Sequence, residues 1–295
     1  MIASGSGPTR TGPAGPAGPS DPGPHDVAAV LRVLVAEPGR PRLTWYGHDG
    51  ERVELSGAVL ANWVAKTTNL LVEEFDAAPG TRVQVELPAH WRTVVWTLAT
   101  WTTGATLVLA SDATVQADVL VTTDEAAADT AGTTNRPADP AALVVVTLAA
   151  LARRAAHPLP AGATDAAAAV MTYPDQLGWV SPPDADAVAL EADDAVITYR
   201  GLPGWWASDH EPGTPPRLVL GPGTGGAAWL AGVLRTLAAG GSVVLVDAGT
   251  AERLRTQPDA LARLVTTERA TVAEVLDPAA AADQDTGPRT YPRRR

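Results

Sequence analysis

The sequence predicts an α/β fold of two lobes, each a mostly parallel sheet flanked by helices. Three observations support this fold class. Apolar runs of strand length alternate with longer segments of helical periodicity. Strand–helix–strand patterns occur on both sides of a stretch that is rich in Ala, Pro and Asp. The chain has 295 residues, 45% of them apolar, so it can bury a large core without disulfides or metals.

The first lobe is predicted to span residues 26–152. It opens with two helices that have N-capping residues, Asp26 for a helix ending at Ala36 and Ser56 for a longer one. Between them, short apolar segments on either side of a Gly-His-Asp-Gly turn predict a β-hairpin. The hairpin therefore falls within the first lobe.

A strand–helix–strand unit follows in the same lobe. The helix at 91–103 is apolar on nearly every side, which predicts a buried helix with Gly104 as its left-handed stop. It connects strands at 82–87 and 105–109, and such crossovers are nearly always right-handed with parallel strands. Two further apolar runs extend the sheet, at 118–121 and 143–148.

The second lobe, predicted at residues 194–276, repeats this alternation. Residues 153–193 form a predicted irregular connection, because their strand and helix signals are weak. Strands of the second lobe are expected at 195–199, 218–220, 243–246 and 271–276. Residues 1–25 and 277–295 are predicted to be disordered tails, since they contain few apolar residues.

Charge and composition exclude several classes of function. The formal net charge of −11 argues against a nucleic-acid partner, because that binding depends on clustered positive charge. The absence of cysteine excludes disulfides, thiolate metal sites and a cysteine nucleophile. The longest apolar stretch, at 141–152, is too short to span a membrane, which needs about 20 residues. No secretory signal is recognisable, so a cytoplasmic location is expected by default.

The sharpest local motif is a glycine-rich turn between a predicted strand and a predicted helix. Its residues are Gly221, Pro222, Gly223, Thr224, Gly225 and Gly226. Asp247 ends the next strand, 21 residues after Gly226. This spacing fits a nucleotide fingerprint, in which glycines admit the ligand and the acid receives a ribose hydroxyl. The alternative is a tight corner without a ligand, since few residues remain to complete a dinucleotide-binding sheet.

Other catalytic signals are weak. The five histidines are scattered without metal-ligand spacing, so no metal site is expected. No Gly-x-Ser-x-Gly motif is present. Lys66, the single lysine, lies on the polar side of the long helix and is expected to be solvated. The sequence therefore assigns no catalytic residue.

Several segments, taken in order, resemble the N-terminal region of the adenylate-forming superfamily of acyl-CoA synthetases, luciferases and peptide-synthetase adenylation domains. The hairpin and the helix after Ser56 look like that family's opening "TY…EL" element. Further likenesses are 80–88 to "GDRVAVxLPN", 103–109 to "AGAxxVPL", 237–245 to "LxxGAxVVL" and 268–272 to the strand that follows. The chain is most similar to a short bacterial family distantly related to the AMP-binding enzymes.

The chain departs from the family pattern at the segments that the family uses for ligand binding and catalysis. The resemblance places a Ser/Thr/Gly phosphate loop ending in Pro-Lys-Gly after Tyr199, where this chain has 200–204, Arg-Gly-Leu-Pro-Gly. Arg200 could offer charge there, but the hydroxyls and the lysine are missing. The family's acyl-pocket segment falls on 220–225, where glycine and threonine replace its aromatic and histidine. Its ribose-binding aspartate and catalytic lysine would fall beyond residue 295.

Three hypotheses of different classes follow. The first is a truncated, degenerate relative of the adenylate-forming enzymes, without self-sufficient ligase activity, that binds a nucleotide or acyl group near Arg200 and 221–226. The second is an enzyme that binds S-adenosylmethionine or NAD(P) at the glycine turn, with Asp247 as the acidic partner. The third is a structural or interaction module. The sequence identifies neither the cofactor nor any protein partner, although a nucleotide is compatible with the turn.

Overall fold

Helices and strands alternate along the chain, as the sequence predicts. The computed structural model describes residues 26–47, 49–109, 116–123, 142–193, 195–207, 215–223 and 226–274. The helices are α1 (Val27–Ala36), α2 (Gly57–Phe75), α3 (Trp91–Thr103), α4 (Ala166–Ala169), α5 (Leu202–Trp206), α6 (Gly226–Ala238), α7 (Ala248–Thr256) and α8 (Pro258–Glu268). A 3₁₀ turn, Val170–Thr172, follows α4. The predicted tails, 1–25 and 277–295, lie outside the described residues.

Twelve strands in this part of the chain form two sheets. They are β1 (Pro41–Tyr46), β2 (Arg52–Ser56), β3 (Arg82–Glu86), β4 (Thr106–Val108), β5 (Val119–Thr123), β6 (Ala142–Val146), β7 (Thr164–Asp165), β8 (Val188–Ala192), β9 (Ala195–Thr198), β10 (Arg217–Leu220), β11 (Ser242–Val246) and β12 (Val272–Glu274). Sheet A has the order β12-β10-β11-β1-β2, and sheet B has the order β7-β6-β5-β3-β4-β8-β9.

Both sheets are mostly parallel. Within the described strands, the antiparallel pairs are β1 with β2 in sheet A and β8 with β9 in sheet B. Every other strand pair in the two sheets is parallel. The predicted α/β fold of two mostly parallel sheets flanked by helices is confirmed.

Neither sheet comes from one of the predicted ranges, 26–152 or 194–276, alone. The β1–β2 hairpin, assigned to the first lobe, joins sheet A, where Leu43 lies opposite Val243. Strand β9, assigned to the second lobe, pairs with β8 in sheet B. Residues 153–193, predicted to be irregular, contribute β7 and β8 to sheet B. The physical reason is that strand pairing depends on matching edges in space, which proximity along the chain does not determine. As domain boundaries, the three ranges stay a prediction.

The main core lies between the two sheets. Helix α3 contacts β1 of sheet A on one side and β3 and β4 of sheet B on the other. Helices α1, α2 and α6 lie in the same layer. The inward-facing strand residues include Leu43, Trp45 and Leu245 from sheet A and Val83 and Leu107 from sheet B. All of these are at most 5% exposed, so the helix layer joins both sheets in one apolar core.

Helix α3 is almost completely enclosed. Every residue of it except Thr102 is buried, including Trp91, Trp96 and Trp101. The indole of Trp101 donates a hydrogen bond to the Ala189 carbonyl at 2.7 Å. Gly104 ends the helix at φ +85°, and a Cβ there would lie 2.8 Å from the ring of Pro79. The prediction of a buried helix with Gly104 as its left-handed stop is confirmed.

Segment 173–178 covers part of the polar side of α2, and Lys66, which was expected to be solvated, is half-buried there. The Lys66 ammonium donates to the Tyr173 carbonyl. Asn69, which is 7% exposed, donates to the carbonyls of Pro174 and Gln176 and accepts from the Gly178 amide. A segment with little regular structure needs partners for its backbone groups, and the side chains of Lys66 and Asn69 supply them.

Arg42, at the amino end of β1, donates hydrogen bonds to backbone carbonyls in α1 and just after α6. Its side chain is 1% exposed and donates to the carbonyl of Val33 in α1 at 3.1 Å. It also donates to the carbonyls of Gly240 and Gly241, which follow α6. Because carbonyls at the ends of helices lack partners within the helix, a buried guanidinium can satisfy several of them at once.

A second, smaller core covers the opposite face of sheet A. Val219, Val244 and Val246 pack there with Ala251 of α7 and Leu254 of the same helix. Helix α8 adds partly buried apolar residues to this layer. None of the helices within the described ranges is both long and apolar enough to cross a membrane.

Glu268, at the end of α8, anchors this layer to sheet A. It is 6% exposed and accepts hydrogen bonds from Tyr46, Arg52 and Arg217. Arg217 also donates to Thr44 at 3.1 Å. Burial acts to raise the pKa of Glu268, but the hydrogen bonds from Tyr46, Arg217 and Arg52 outweigh it and lower that pKa. The carboxylate is therefore held charged by two cations and a phenol.

We predict that Glu268→Gln lowers the free energy of unfolding by about 2 to 4 kcal/mol at pH 7, because it leaves two arginines without their shared counter-charge. The native contribution of Glu268 is complete above the ordinary glutamate pKa of 4.5 and is lost as the pH falls through its lower folded value. Urea unfolding followed by tryptophan fluorescence measures this change. Glu54→Gln is the matched control, since Glu54 pairs with Arg52 at the surface and should cost less than about 1 kcal/mol. Equal losses in the two variants would contradict the assignment.

Candidate functional site

The carboxyl edge of sheet A contains a topological switch point. After β10 the chain enters α6, which packs in the main core, whereas after β11 it enters α7 on the opposite face. The two strands are neighbours, with Leu220 opposite Leu245. In open α/β sheets, ligands bind in the crevice where adjacent strands send their connections to opposite faces. The fold therefore places a candidate site at the ends of β10 and β11.

The glycine turn forms one side of this crevice. Gly221 is buried directly after β10. Gly223 has φ +51°, and Gly226, the first residue of α6, has φ +67° with no atom within 4 Å of the position of a Cβ. Thr224 and Gly225 lie outside the described residues. A left-handed backbone with open space beside it is compatible with the close approach of a ligand.

Asp247 lies on the other side of the crevice, and its local role is a helix cap. Its carboxylate accepts from the Thr250 amide at 2.6 Å, and so it caps α7. Its own amide donates to the Tyr46 carbonyl at 3.0 Å. An acid at the end of a strand suits a ribose hydroxyl and a helix N-terminus equally well. In the structure Asp247 caps the N-terminus of α7.

Arg200 does not join this site through any contact of the described residues. It follows β9 at the edge of sheet B, where its side chain is 67% exposed. Its Nε donates to Asp186 at 2.9 Å, and its amide donates to the Ala185 carbonyl. The hydrogen bond from Arg200 lowers the pKa of Asp186, as expected for a surface ion pair. The structure thus groups Gly221, Gly223, Gly226 and Asp247, and it gives Arg200 a separate surface partner.

The segment after β9 is occupied by its own packing. The amides of Tyr199, Arg200, Gly201 and Leu202 all donate to backbone carbonyls between Ala185 and Tyr199. The Tyr199 hydroxyl donates to the Ala105 carbonyl at 2.7 Å. Leu202 and Trp206 of α5 are at most 2% exposed. A phosphate cradle needs free amides that point at the ligand, and the amides of 199–202 are already bonded.

His90 is a buried group near the crevice that the sequence does not single out. It is 2% exposed and caps α3 through Nδ1, which accepts from the Arg92 amide at 3.1 Å. Its ring meets Trp45 of β1 edge-on, with ring centroids 4.4 Å apart. Burial and the nearby Arg92 lower the pKa of His90 to about 3, although Asp247 acts in the opposite direction. The imidazole is therefore neutral at physiological pH and connects sheet A with the start of α3.

No group of three or more acidic or histidine side chains within the described ranges could hold a metal ion. The candidate site thus consists of backbone amides, glycines and one capping carboxylate. Such groups can bind a ligand, and the one carboxylate among the described ones, that of Asp247, caps α7 in this structure.

Comparison with known proteins identifies the fold. No protein-family model matches the chain. A TIGR03089 family protein of Mycobacterium tuberculosis is 40% identical over 146 residues, which cover 49% of this chain and 58% of that protein.

Solved structures of adenylate-forming enzymes superpose on most of the chain. The amide bond synthetase McbA from Marinactinospora thermotolerans matches 84% of this chain and 48% of its own, with 20% identity and a TM-score of 0.57. A Mycobacterium tuberculosis fatty acyl CoA synthetase matches 84% of this chain and 49% of its own, with 13% identity and a TM-score of 0.61. The acetoacetyl-CoA synthetase from Streptomyces lividans matches 75% and 38%, with 20% identity and a TM-score of 0.60.

The chain therefore folds like the N-terminal portion of adenylate-forming enzymes. It spans about half the length of the first two structures and 58% of the curated relative. The resemblance that the sequence segments suggest is confirmed at the level of the fold.

We predict that His90→Asn weakens the acid sensitivity of the protein. Below pH 6.5 the unfolded chain binds a proton at His90 that the native state excludes down to about pH 3. The free energy of unfolding of the unmodified protein should consequently fall by about 2 kcal/mol between pH 7 and pH 5 because of this one residue. Asparagine retains an oxygen that can cap α3 but does not titrate.

Urea unfolding at pH 7 and pH 5 measures this contribution. The matched control is His157→Asn, the same replacement at an exposed histidine. Identical pH dependence in the His90 variant and the unmodified protein would show that His90 titrates normally.

Proposed function

We propose that this chain binds a nucleotide at the carboxyl edge of sheet A and does not by itself form an acyl adenylate. The proposal joins the fold of the adenylate-forming enzymes with a local chemistry that departs from theirs. An acyl group is the other ligand class compatible with this edge, because segment 220–225 corresponds in the resemblance to the family's acyl pocket.

The observation that carries the proposed loss of ligase activity is the packing of the segment after β9. The resemblance places a hydroxyl- and lysine-bearing phosphate loop at 200–204. In this chain the amides of 199–202 are bonded to the backbone, and α5 is packed into the core through Leu202 and Trp206. A triphosphate would have to displace this packing before it met a donor there. The geometry therefore argues against binding of ATP phosphates at 200–204 in the way that the resemblance implies.

Lys66 supports the same conclusion. It is the single lysine of the 295-residue chain. It lies on α2 and donates to the Tyr173 carbonyl, away from both the glycine turn and the segment after β9 along the chain. A lysine that stabilises the negative charge of a transferred group must reach the reacting atoms. Within the described residues, Lys66 therefore has a different partner and is not placed to take that role.

The glycine turn supports retained binding. It opens α6, a helix of 13 residues, so the amides of its first turn and its dipole both favour an anionic group. The turn lies at the switch point of sheet A, with φ values of +51° and +67° at Gly223 and Gly226. At Gly226, the described end of the turn, no atom lies within 4 Å of the position of a Cβ, so a phosphate of a bound nucleotide could approach the backbone there.

A second candidate is binding of S-adenosylmethionine or NAD(P) at the same turn. The observation that favours it is the placement of Asp247 at the end of the neighbouring strand β11, as in dinucleotide-binding folds. Such a ligand would need Asp247 for a ribose hydroxyl, and Asp247 would then leave its cap on α7 or share it. The two candidates therefore differ in their dependence on Asp247.

We predict that ATP or AMP raises the thermal unfolding midpoint, by about 3 to 6 °C at ten times the Kd. In Gly226→Ala this rise should be lost, because a methyl group would stand where the ligand approaches. Gly162→Ala is the matched control, since Gly162 also has a positive φ and open space around it but lies before β7. Both substitutions strain a left-handed residue, by roughly 1 to 2 kcal/mol, and only the first should abolish the ligand-induced rise.

Two further arms of the experiment separate the alternatives. Carboxylate-dependent exchange of pyrophosphate into ATP should be absent, and its presence in the purified chain would refute the loss of ligase activity. S-adenosylmethionine and NAD(P) should give no rise, or one that Asp247→Ala abolishes if the second candidate is correct. If no nucleotide or cofactor stabilises the protein at millimolar concentration, both candidates are wrong and an interaction module becomes the better interpretation.

A further inference from the structure

An open groove, called the α1–α2 groove below, lies between α1, α2 and the segment around Leu177. Its volume is about 310 Å³, which falls within the range of pockets that bury a small ligand. Six of its ten lining residues are apolar, among them Val35 of α1 and Ala65 of α2. The groove therefore has the size and the lining to take one large apolar group from a partner.

Apolar side chains of the groove itself are exposed to solvent. Val35 is 47% exposed and Leu177 is 43% exposed, although both line the groove. Single exposed apolar residues are ordinary on a protein surface, whereas exposed apolar residues that share one concave surface are typical of an interaction site. Covering them with a partner would remove apolar area from water, which is favourable.

Trp179 is an exposed aromatic side chain next to the groove. It is 84% exposed, whereas the other eight tryptophans of the chain are buried or half-buried. It follows the groove residue Leu177 by two positions, so their Cα atoms are at most about 7 Å apart. Between them the Gly178 amide donates to Asn69 of α2 at 3.1 Å, which anchors the backbone beside the indole. Tryptophan is among the residues that contribute most to the binding energy of interfaces.

Two opposite charges line the groove without partners in the same chain. Arg32 of α1 and Asp175 both belong to its walls, and both are exposed. Within the part of the chain that the structure describes, neither side chain forms a salt bridge or a hydrogen bond. A complementary partner would present an acid to Arg32 and a base to Asp175.

A second copy of the chain meets all of these requirements at once. In a dimer with two-fold symmetry, the same patch of both copies comes together, so that each feature contacts its complement on the other copy. This patch contains a projecting indole and a groove that can take one. It also contains both a cation and an anion. Both the shape and the charge of the patch are therefore self-complementary.

We propose that the α1–α2 groove is the interface of a two-fold symmetric dimer of this chain. Trp179 of each copy enters the groove of the other, and Arg32 of each copy pairs with Asp175 of the other. The indoles supply most of the binding energy, and the charge pairs fix the relative position of the copies. The interface is independent of the proposed nucleotide site, because the groove has no lining residue in the glycine turn or in β11.

Sedimentation velocity of the full chain over a range of concentrations tests the proposal. The unmodified chain should form a dimer as its concentration rises. Trp179→Ala should raise the Kd of that dimer by about a hundred-fold, because the symmetric interface loses two indoles. Circular dichroism of this variant should match that of the unmodified chain, since an 84% exposed side chain has few contacts within one copy.

Leu151→Ala is the matched control, and it should leave the Kd of the dimer unchanged. Leu151 is 93% exposed. The neighbouring carbonyl of Ala149 accepts from Arg92, near the amino end of α3. The groove includes Thr102, which lies ten residues, or about 15 Å, further along the same helix. An exposed apolar residue outside the groove is thus removed in the same way.

Arg32→Glu and Asp175→Arg provide a second test, which depends on the charge pairing itself. Each variant alone would place like charges opposite each other in its dimer and should raise the Kd at least ten-fold. An equimolar mixture of the two variants should form a dimer again, because each acid then faces a base at both positions. A monomer at every concentration, a dimer that Trp179→Ala does not weaken, or a mixture that stays monomeric would each overturn the proposal.

Discussion

The parallel pairing of β1 with β11 is the constraint on which the rest of the structure depends. It places a strand from the beginning of the described chain inside a sheet whose other parallel strands come from the end of that chain. Through Leu43 and Trp45, β1 faces the main core between the sheets, and through Tyr46 it faces α7 and α8. Arg42, from the same strand, holds the ends of α1 and α6. The switch point lies on the other side of β11, between it and β10.

Local features of the fold could be predicted from the sequence because they depend on neighbouring residues. The caps at Asp26 and Ser56, the apolar periodicity of α2 and the stop at Gly104 all act within one turn of a helix. The sheet membership of the hairpin could not be predicted, since no local pattern distinguishes β3 from β11 as the partner of β1. Strands β7 and β8 escaped prediction for another reason: the first has two residues and the second is rich in alanine and acid.

The placement of the glycine turn and Asp247 at one edge of a sheet could be predicted from the sequence, whereas their use as a ligand site stays a prediction. The glycine turn and Asp247 do meet at one edge, because the strand–helix–strand unit fixes their placement. The role of Asp247 was not predictable, because a cap and a ribose ligand place the same residue at the same spot. Arg200 carried a charge that the sequence could not assign to a partner, and the structure gives it Asp186. The buried Arg42 and Arg92 escaped notice since arginine is ordinarily a surface residue.

The order in which sheet A can assemble has a consequence during synthesis on the ribosome. Leu43 and Val243 are paired neighbours, yet about 200 residues separate them along the chain. The β1–β2 hairpin emerges first. The other hydrogen-bonding edge of β1 then stays unpaired until nearly the whole described chain has left the exit tunnel. At elongation speeds of about 5 to 20 residues per second, that interval is on the order of ten to forty seconds. Nascent chains of this protein thus spend that time with an apolar strand open to chaperones and to aggregation.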